Sequence, residues 1–316
     1  MDTFSYFLIA LACVVMLYVV YTMIDYIPAL VIGGSDIKQY EPKMSYAKLK
    51  DGHLTQYNNV DKEKITTDSE FRIGSLTKIF TATSLLIAQE KGLLDIDADA
   101  DKYLKVKLPG ITIRELMNHE AGVRQIIVTG CKEITADTLE SFKTATDVID
   151  YIVSIDGPDF IDPSLKKGKF TYSNVGYILL GAIIEKISKM SWIEFVYRTV
   201  IKPLKLTHTG MGKTDLTLYN NNTIQPLNDR QFNEIYLTQS AGALYSSIND
   251  LHTFAKMVFT LSINQDAFKN LYFFQANGLL SYSGGNSWIK LKYDNNNKMQ
   301  HATIVLRRCS EDITKS

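Results

Sequence analysis

Two side chains three residues apart, Ser75 and Lys78, lie in the run Phe71-Arg72-Ile73-Gly74-Ser75-Leu76-Thr77-Lys78-Ile79-Phe80. On a helix that spacing puts a hydroxyl and an amine on one face, about 5–6 Å apart at Cβ. A lysine removed from water has a lowered pKa and can stand as a neutral amine near neutral pH. Such an amine can accept the serine proton and leave a nucleophile. The first turn of the helix adds positive potential and N–H donors, which suit a developing oxyanion. The pattern is not selective by itself, because Ser-x-x-Lys begins at Ser35, Ser45, Ser75, Ser164 and Ser287. Only the Ser75 copy follows an apolar, strand-like run and opens a long apolar segment. An ordinary serine-capped helix is the competing reading.

A second group is Tyr172 and Asn174, in Lys169-Phe170-Thr171-Tyr172-Ser173-Asn174, just ahead of the apolar segment Ile178–Ile187. From there, side chains can project into a cleft. A tyrosine near lysine cations loses its proton more easily and can relay protons. Asn174 can hold a substrate amide or the lysine. The competing reading of Tyr172 is a loop tyrosine packed on the domain. The third group is Tyr282-Ser283-Gly284-Gly285, a strand ending in paired glycines. Glycine there lets a ligand approach the backbone, and a second N–H opposite that of Ser75 would complete an oxyanion hole. A plain glycine turn competes.

The elements that must position these groups follow from pattern. The segment from Ser75 to about Glu90 reads as a buried central helix, stopped by Gly92. Asp51-Gly52 between Lys43–Lys50 and His53–Tyr57 signals a hairpin. Ile111–His119 and Ile193–Ile201 read as helices, the latter stopped by Pro203. A further helix is expected over Asp250–Leu261. Trp288–Tyr293 and Met299–Arg308 form a second hairpin around Asp294–Lys298. Phe4 to Ile24 is 21 residues without a charge, long enough to cross a bilayer. Neither a basic leader nor a nearby Ala-x-Ala-like site marks it as a cleaved signal. Residues 1–25 therefore read as a single-pass membrane anchor of undetermined orientation, 26–42 as a linker, and 43–316 as the catalytic domain.

Basic and acidic residues balance, 34 against 34, so nothing points to nucleic acid. The three cysteines lack zinc spacing and the five histidines are scattered, each read as a surface or packing residue. No metal or cofactor is expected. No Gly-x-Ser-x-Gly elbow or phosphate loop occurs.

Taken in order, Phe71–Lys78, Leu116–Val123, Tyr172–Gly181, Ile201–Met211 and Gly242–Phe254 resemble the serine β-lactamase and penicillin-binding-protein superfamily. The similarity is to its class C β-lactamase-related branch, which holds D-Ala-D-Ala carboxypeptidases, esterases and D-amino-acid peptidases. It spans about residues 43–308. It implies an α+β fold, an antiparallel sheet flanked by helices with an inserted helical lobe, and a site in the cleft between them. It implies Ser75 as the acylated nucleophile, Lys78 as its proton partner and Tyr172 as general base and acid. Asn174, Tyr282, Ser283 and Gly284 would bind substrate, and the N–H groups of Ser75 and Gly285 would form the oxyanion hole. Two departures stand out. Tyr282 occupies the place of the family's basic residue, which holds a substrate carboxylate. The family's C-terminal helix is expected to be short or absent, since Ser316 follows soon after the last strand. The expectation is a membrane-anchored serine hydrolase acting on an amide or ester of a small molecule or peptide. The alternative is a non-catalytic relative serving as a membrane-tethered binding or assembly module.

Overall fold

The hairpin signalled by Asp51-Gly52 forms. β1 (Met44–Lys50) and β2 (His53–Asn58) pair antiparallel with Lys50 opposite His53. Asp51 takes φ +48, a left-handed value that Asp tolerates in such two-residue turns. The computed structural model describes residues 44–51, 53–58, 66–125, 138, 141–211, 229–275, 277–283 and 287–309. These fall in one unit spanning 43–316; the other unit, 1–42, lies outside them and contains the expected anchor and linker. No helix among the described residues is long and apolar enough to cross a membrane.

A six-stranded antiparallel sheet runs in the order β2-β1-β9-β8-β7-β6. Its later strands are β6 (Phe274–Gln275), β7 (Leu279–Ser283), β8 (Trp288–Tyr293) and β9 (Met299–Cys309). β9 pairs with both β1 and β8, so the first and last described strands lie side by side. A small second sheet, order β3-β5-β4, joins β3 (Glu70–Arg72), β4 (Gly210–Met211) and β5 (Leu244–Ser247). The strands of β7–β9 match the expected pattern, and residues 310–316 lie outside the described ones.

The helices between β3 and β4 form the inserted lobe. α1 (Thr77–Glu90) follows a 3-10 turn at Gly74–Leu76. α2 (Ile113–Met117), α3 (Ala145–Asp156), α4 (Asn174–Ser188) and α5 (Trp192–Val196, extended by a wide turn at Tyr197–Ile201) follow. α6 (Asp229–Gly242) leads into β5, and α7 (Ile248–Met257) and α8 (Gln265–Lys269) into β6. α1 is buried from Thr77 to Ala88, as expected of a helix with no polar face. Phe80 on α1 stacks on Phe254 of α7 at 4.6 Å, and α7 rests on β9 and β1. α3 went unnoticed in the sequence, although Thr144 and Asp147 form a reciprocal cap at its start, the kind of signature Thr112 and Glu115 give α2.

α4 is the second buried axis. At Gly181 it meets α3 and α6 with no room for a side chain. A Cβ there would overlap the Ser240 hydroxyl and lie 2.8 Å from Ala145 Cβ. Ser240 cannot yield freely, because its hydroxyl donates to the Tyr177 carbonyl at 2.8 Å. In open space, alanine would favour a helix over glycine by about 1 kcal/mol. Here Gly181→Ala should instead destabilise the domain by about 1–3 kcal/mol. A thermal melt should show the midpoint falling by about 2–4 °C for each kcal/mol; an unchanged or raised midpoint contradicts this packing.

Candidate active site

Gly74, at φ +49, makes the bend that turns β3 into the 3-10 turn carrying Ser75. Glycine occupies that region without a Cβ penalty. The bend is fastened to β5 on both sides: Ile73 N–H donates to the Leu244 carbonyl at 3.1 Å, and Leu244 N–H donates to Thr77 Oγ1 at 3.1 Å. One turn on, Lys78 is fully buried at 0 % exposure. Its Nζ lies 3.1 Å from Ser75 Oγ, 2.8 Å from Asn174 Oδ1 and 2.7 Å from the Ala241 carbonyl.

Burial lowers the Lys78 pKa well below its ordinary value. The rings of Tyr172 and Tyr177, 4.9 and 5.4 Å from Nζ, favour a cation, by about 0.5–2 kcal/mol each. Stripping an ammonium of water costs several kcal/mol, and no carboxylate touches Nζ among the described residues. Burial and the missing counter-ion both favour the neutral amine over the ammonium. A neutral amine has two hydrogens and one lone pair. Two of its neighbours, Asn174 Oδ1 and Ala241 O, can only accept. Lys78 Nζ donates to Asn174 Oδ1 and Ala241 O, and its third contact is Ser75 Oγ, so a neutral amine here would turn its lone pair toward the serine hydroxyl. Ser75 Oγ also shares a hydrogen bond with the Tyr172 hydroxyl, 2.6 Å away, and that hydroxyl donates to Asn174 Oδ1 at 3.3 Å. The arrangement is a hydroxyl poised to lose its proton to an amine.

Ala241 reaches Lys78 because α6 is interrupted. Gln239 sits at φ 35, ψ −120 inside it, and the next two carbonyls are taken by α1. Thr81 Oγ1 donates to Ser240 O at 2.8 Å and Lys78 to Ala241 O. Trp192 Nε1 donates to Thr81 Oγ1 at 3.1 Å, tying α5 to the same point.

Tyr172 and Asn174 flank Ser173, whose hydroxyl caps α4 by accepting from Gly176 N–H at 3.1 Å. Asn174 N–H donates to Gln125 Oε1 at 3.1 Å. Burial raises the Tyr172 pKa; the hydrogen bond to Ser75 opposes this without reversing it. The expectation of an easily ionised tyrosine is thus overturned. The reason is burial, which opposes a phenolate more strongly than the hydrogen bonds with Ser75 and Tyr282 favour one. Tyr172 is a proton donor in the resting site.

His119, read from sequence as surface or packing, is the positioning residue that reading missed. It is buried, at φ +59. Its carbonyl accepts from Thr171 N–H at 2.6 Å and its Nδ1 from Ser173 N–H at 3.1 Å. Its ring lies 4.6 Å from that of Tyr172. The residues on either side of Tyr172 are thereby held by one histidine. Only its place in the Leu116–Val123 block hinted at this.

The third group is partly placed. Tyr282 and Ser283 lie on β7, with Ser283 opposite Trp288, and β7 runs beside the Gly74–Leu76 turn. The Tyr282 and Tyr172 hydroxyls are near enough to affect each other's ionisation. Gly284 and Gly285, the expected substrate and oxyanion contacts, lie outside the described residues. His208, one of the scattered histidines, lies 3.1 Å from Glu70. No cluster of His, Cys, Asp or Glu among the described residues could hold a metal ion.

Comparison with known proteins follows this geometry. Residues 35–278 match the protein family described as Beta-lactamase. Penicillin-binding protein 4* of Bacillus subtilis (strain 168) is 30% identical over 177 residues, covering 56% of this chain and 36% of its own. The chain thus spans about a third of the length of the curated relatives it matches. Among solved structures, D-amino acid amidase from Ochrobactrum anthropi SV3 superposes with a TM-score of 0.63 at 20% identity, over 84% of this chain and 87% of that one. The octameric penicillin-binding protein homologue from Pyrococcus abyssi gives 0.59 at 22% identity, over 85% and 70%. At these identities the structural likeness speaks for the fold alone.

Burial, and less strongly Lys78, push the His119 pKa from 6.5 down to about 3. Between those values the unfolded chain binds a proton that the folded chain refuses. Stability should therefore be full above pH 6.5 and decline as pH falls toward 3. Since Nδ1 accepts a hydrogen bond, the proton must sit on Nε2. Imidazole nitrogen shifts in an NMR titration should show that neutral tautomer unchanged from pH 8 to 5. A midpoint near 6.5 for His119 contradicts the clamp.

Proposed function

The chain belongs to the beta-lactamase family, and on that premise we propose that it is a serine hydrolase that opens an amide or ester through an acyl-enzyme on Ser75. The carrying observation is the set of three contacts at the buried Lys78 Nζ, which puts the amine within hydrogen-bond reach of the serine hydroxyl and supports its role as proton acceptor.

Ser75 Oγ attacks the substrate carbonyl carbon as its proton passes to the Lys78 amine. The carbonyl oxygen gains charge, and the roles implied for the Ser75 and Gly285 N–H groups are to receive it. Collapse breaks the bond to the leaving group, which takes a proton from Tyr172; the proton held by Lys78 then returns to the Tyr172 phenolate beside it, both groups contacting Asn174 Oδ1. Water, deprotonated by the same pair, then releases the acid and frees Ser75. Asn174 fixes the lysine and stands where a substrate amide would be met. Each proton is given or taken by Ser75, Lys78 or Tyr172, so the proposed route calls on no metal or cofactor.

An amide or ester is the common denominator of the relatives, which include proteins named for penicillin binding and for amidase activity. A purely structural module is the weaker reading. Burying a lysine with no counter-charge costs stability, and that cost is understandable where a neutral amine has work to do. We also propose that Phe4–Ile24 tethers the enzyme to a membrane, on the strength of its uninterrupted apolar run.

A fluorophosphonate probe, read by intact mass, should add once to the wild type and not to folded Ser75→Ala. Labelling should rise with pH as Lys78 deprotonates, because only the neutral amine can accept the proton, and be lost below its depressed pKa. Lys78→Arg, which cannot deprotonate, should slow labelling by about 10²–10⁴-fold. An equal adduct on Ser75→Ala, or a rate indifferent to Lys78, defeats the mechanism. For the tether, removing residues 1–25 should move the protein from the membrane pellet to the supernatant; no change in distribution refutes it.

A further inference from the structure

Among the described residues, the side chains that continue outward from Tyr172 beside the serine are aromatic. Phe170 is 58% exposed, unusual for so apolar a side chain two residues from a catalytic tyrosine. Its ring lies 5.7 Å from Tyr272, and Tyr272 lies 5.3 Å from Tyr282. Tyr272 and Phe170 both edge against His119, at 4.6 and 5.6 Å, and His119 packs on Tyr172. The rings thus run without a break from the exposed Phe170 to the nucleophile's hydrogen-bonding partner.

The polar atoms of this wall are phenol hydroxyls and one imidazole. Burial raises the Tyr272 and Tyr282 pKa values and lowers that of His119, so all three stand neutral at physiological pH. The Tyr272 and Tyr282 hydroxyls lie near enough to act on each other's ionisation, and that of Tyr282 acts likewise on Tyr172. Tyr282 holds the position where the family resemblance places a cation for a substrate carboxylate. Burial favours a neutral Lys78, and Lys169 beside Phe170 is exposed, where solvent and salt screen it. A carboxylate pressed against this wall would lose its hydration without gaining a partner, which is costly. An uncharged ring would lose only water from apolar surface and gain edge and face contacts with three rings.

We infer that Phe170, Tyr272 and Tyr282 form a subsite for an uncharged, ring-bearing group next to the scissile bond, and that the enzyme disfavours carboxylated acyl groups there. This rests on the proposed Ser75 hydrolase reading and narrows its substrates to neutral aryl-acyl esters or amides.

The test compares 4-nitrophenyl phenylacetate with its 4-carboxyphenylacetate counterpart, which differs only by the carboxylate. The wild type should favour the uncharged ester at least tenfold in kcat/KM. Tyr282→Phe should keep that ratio, and Tyr282→Lys should narrow or invert it by at least tenfold. Phe170 is exposed, so Phe170→Ala can be expected to fold; it should raise KM for the phenylacetate several-fold relative to 4-nitrophenyl acetate, with kcat little changed. Wild type that takes a fluorophosphonate on Ser75 yet prefers the carboxylated ester overturns this inference alone. So does a Phe170→Ala enzyme with an unaltered KM ratio. A folded chain that accepts neither ester nor the fluorophosphonate overturns the hydrolase reading, and this one with it.

Discussion

An amine without a counter-ion, sealed inside the protein, is the constraint around which the domain is built. Lys78 has no carboxylate within bonding distance among the described residues, and it is fully buried. Such a group survives only if it gives up its proton and if both its hydrogens find acceptors. The two acceptors come from different elements: Asn174 opens α4, and Ala241 lies near the end of α6. The third neighbour, Ser75, stands one turn away. Charge burial, helix placement and nucleophile activation are therefore one problem with one solution.

The supporting structure reflects that coupling. α1 must be apolar on all sides to desolvate the lysine, yet Thr77, Thr81 and Lys78 on it each bond to α6 or the strand after it. The kink at Gln239 falls where those bonds are made. Backbone strain of this sort costs on the order of 1–3 kcal/mol and persists only where surrounding contacts fix it. Glycine at position 181 serves the same end, letting α4 approach α6 closely enough for both to reach α1. On the opposite side, His119 holds the peptide units flanking Tyr172.

The exclusion of water that acts on the lysine acts on its neighbours too. Burial outweighs the hydrogen bonds that favour a Tyr172 phenolate and keeps the phenol protonated. The neighbouring phenols are subject to the same pressure. The result is a group of side chains around Ser75 whose ionisation burial opposes throughout.

Much of this was legible from local pattern. Hairpins at Asp51-Gly52 and Asp294–Lys298, the apolar helix after Ser75 and the three groups Ser75/Lys78, Tyr172/Asn174 and Tyr282/Ser283 follow from periodicity, turn residues and spacing, each a property of a few adjacent residues. The helices Ala145–Asp156 and Asp229–Gly242 were missed: the first announced itself only by a cap, and the second is too polar to show a core face. Which Ser-x-x-Lys mattered could be inferred, but not what state its lysine holds. That depended on Ala241, 163 positions away, whose contribution is a backbone carbonyl and leaves no mark in residue identity. The role of His119 and the sign of the Tyr172 shift were likewise decided by tertiary structure. Ionisation follows from how much water is excluded and which dipoles face a group, and those are properties of packing that no short stretch of chain possesses.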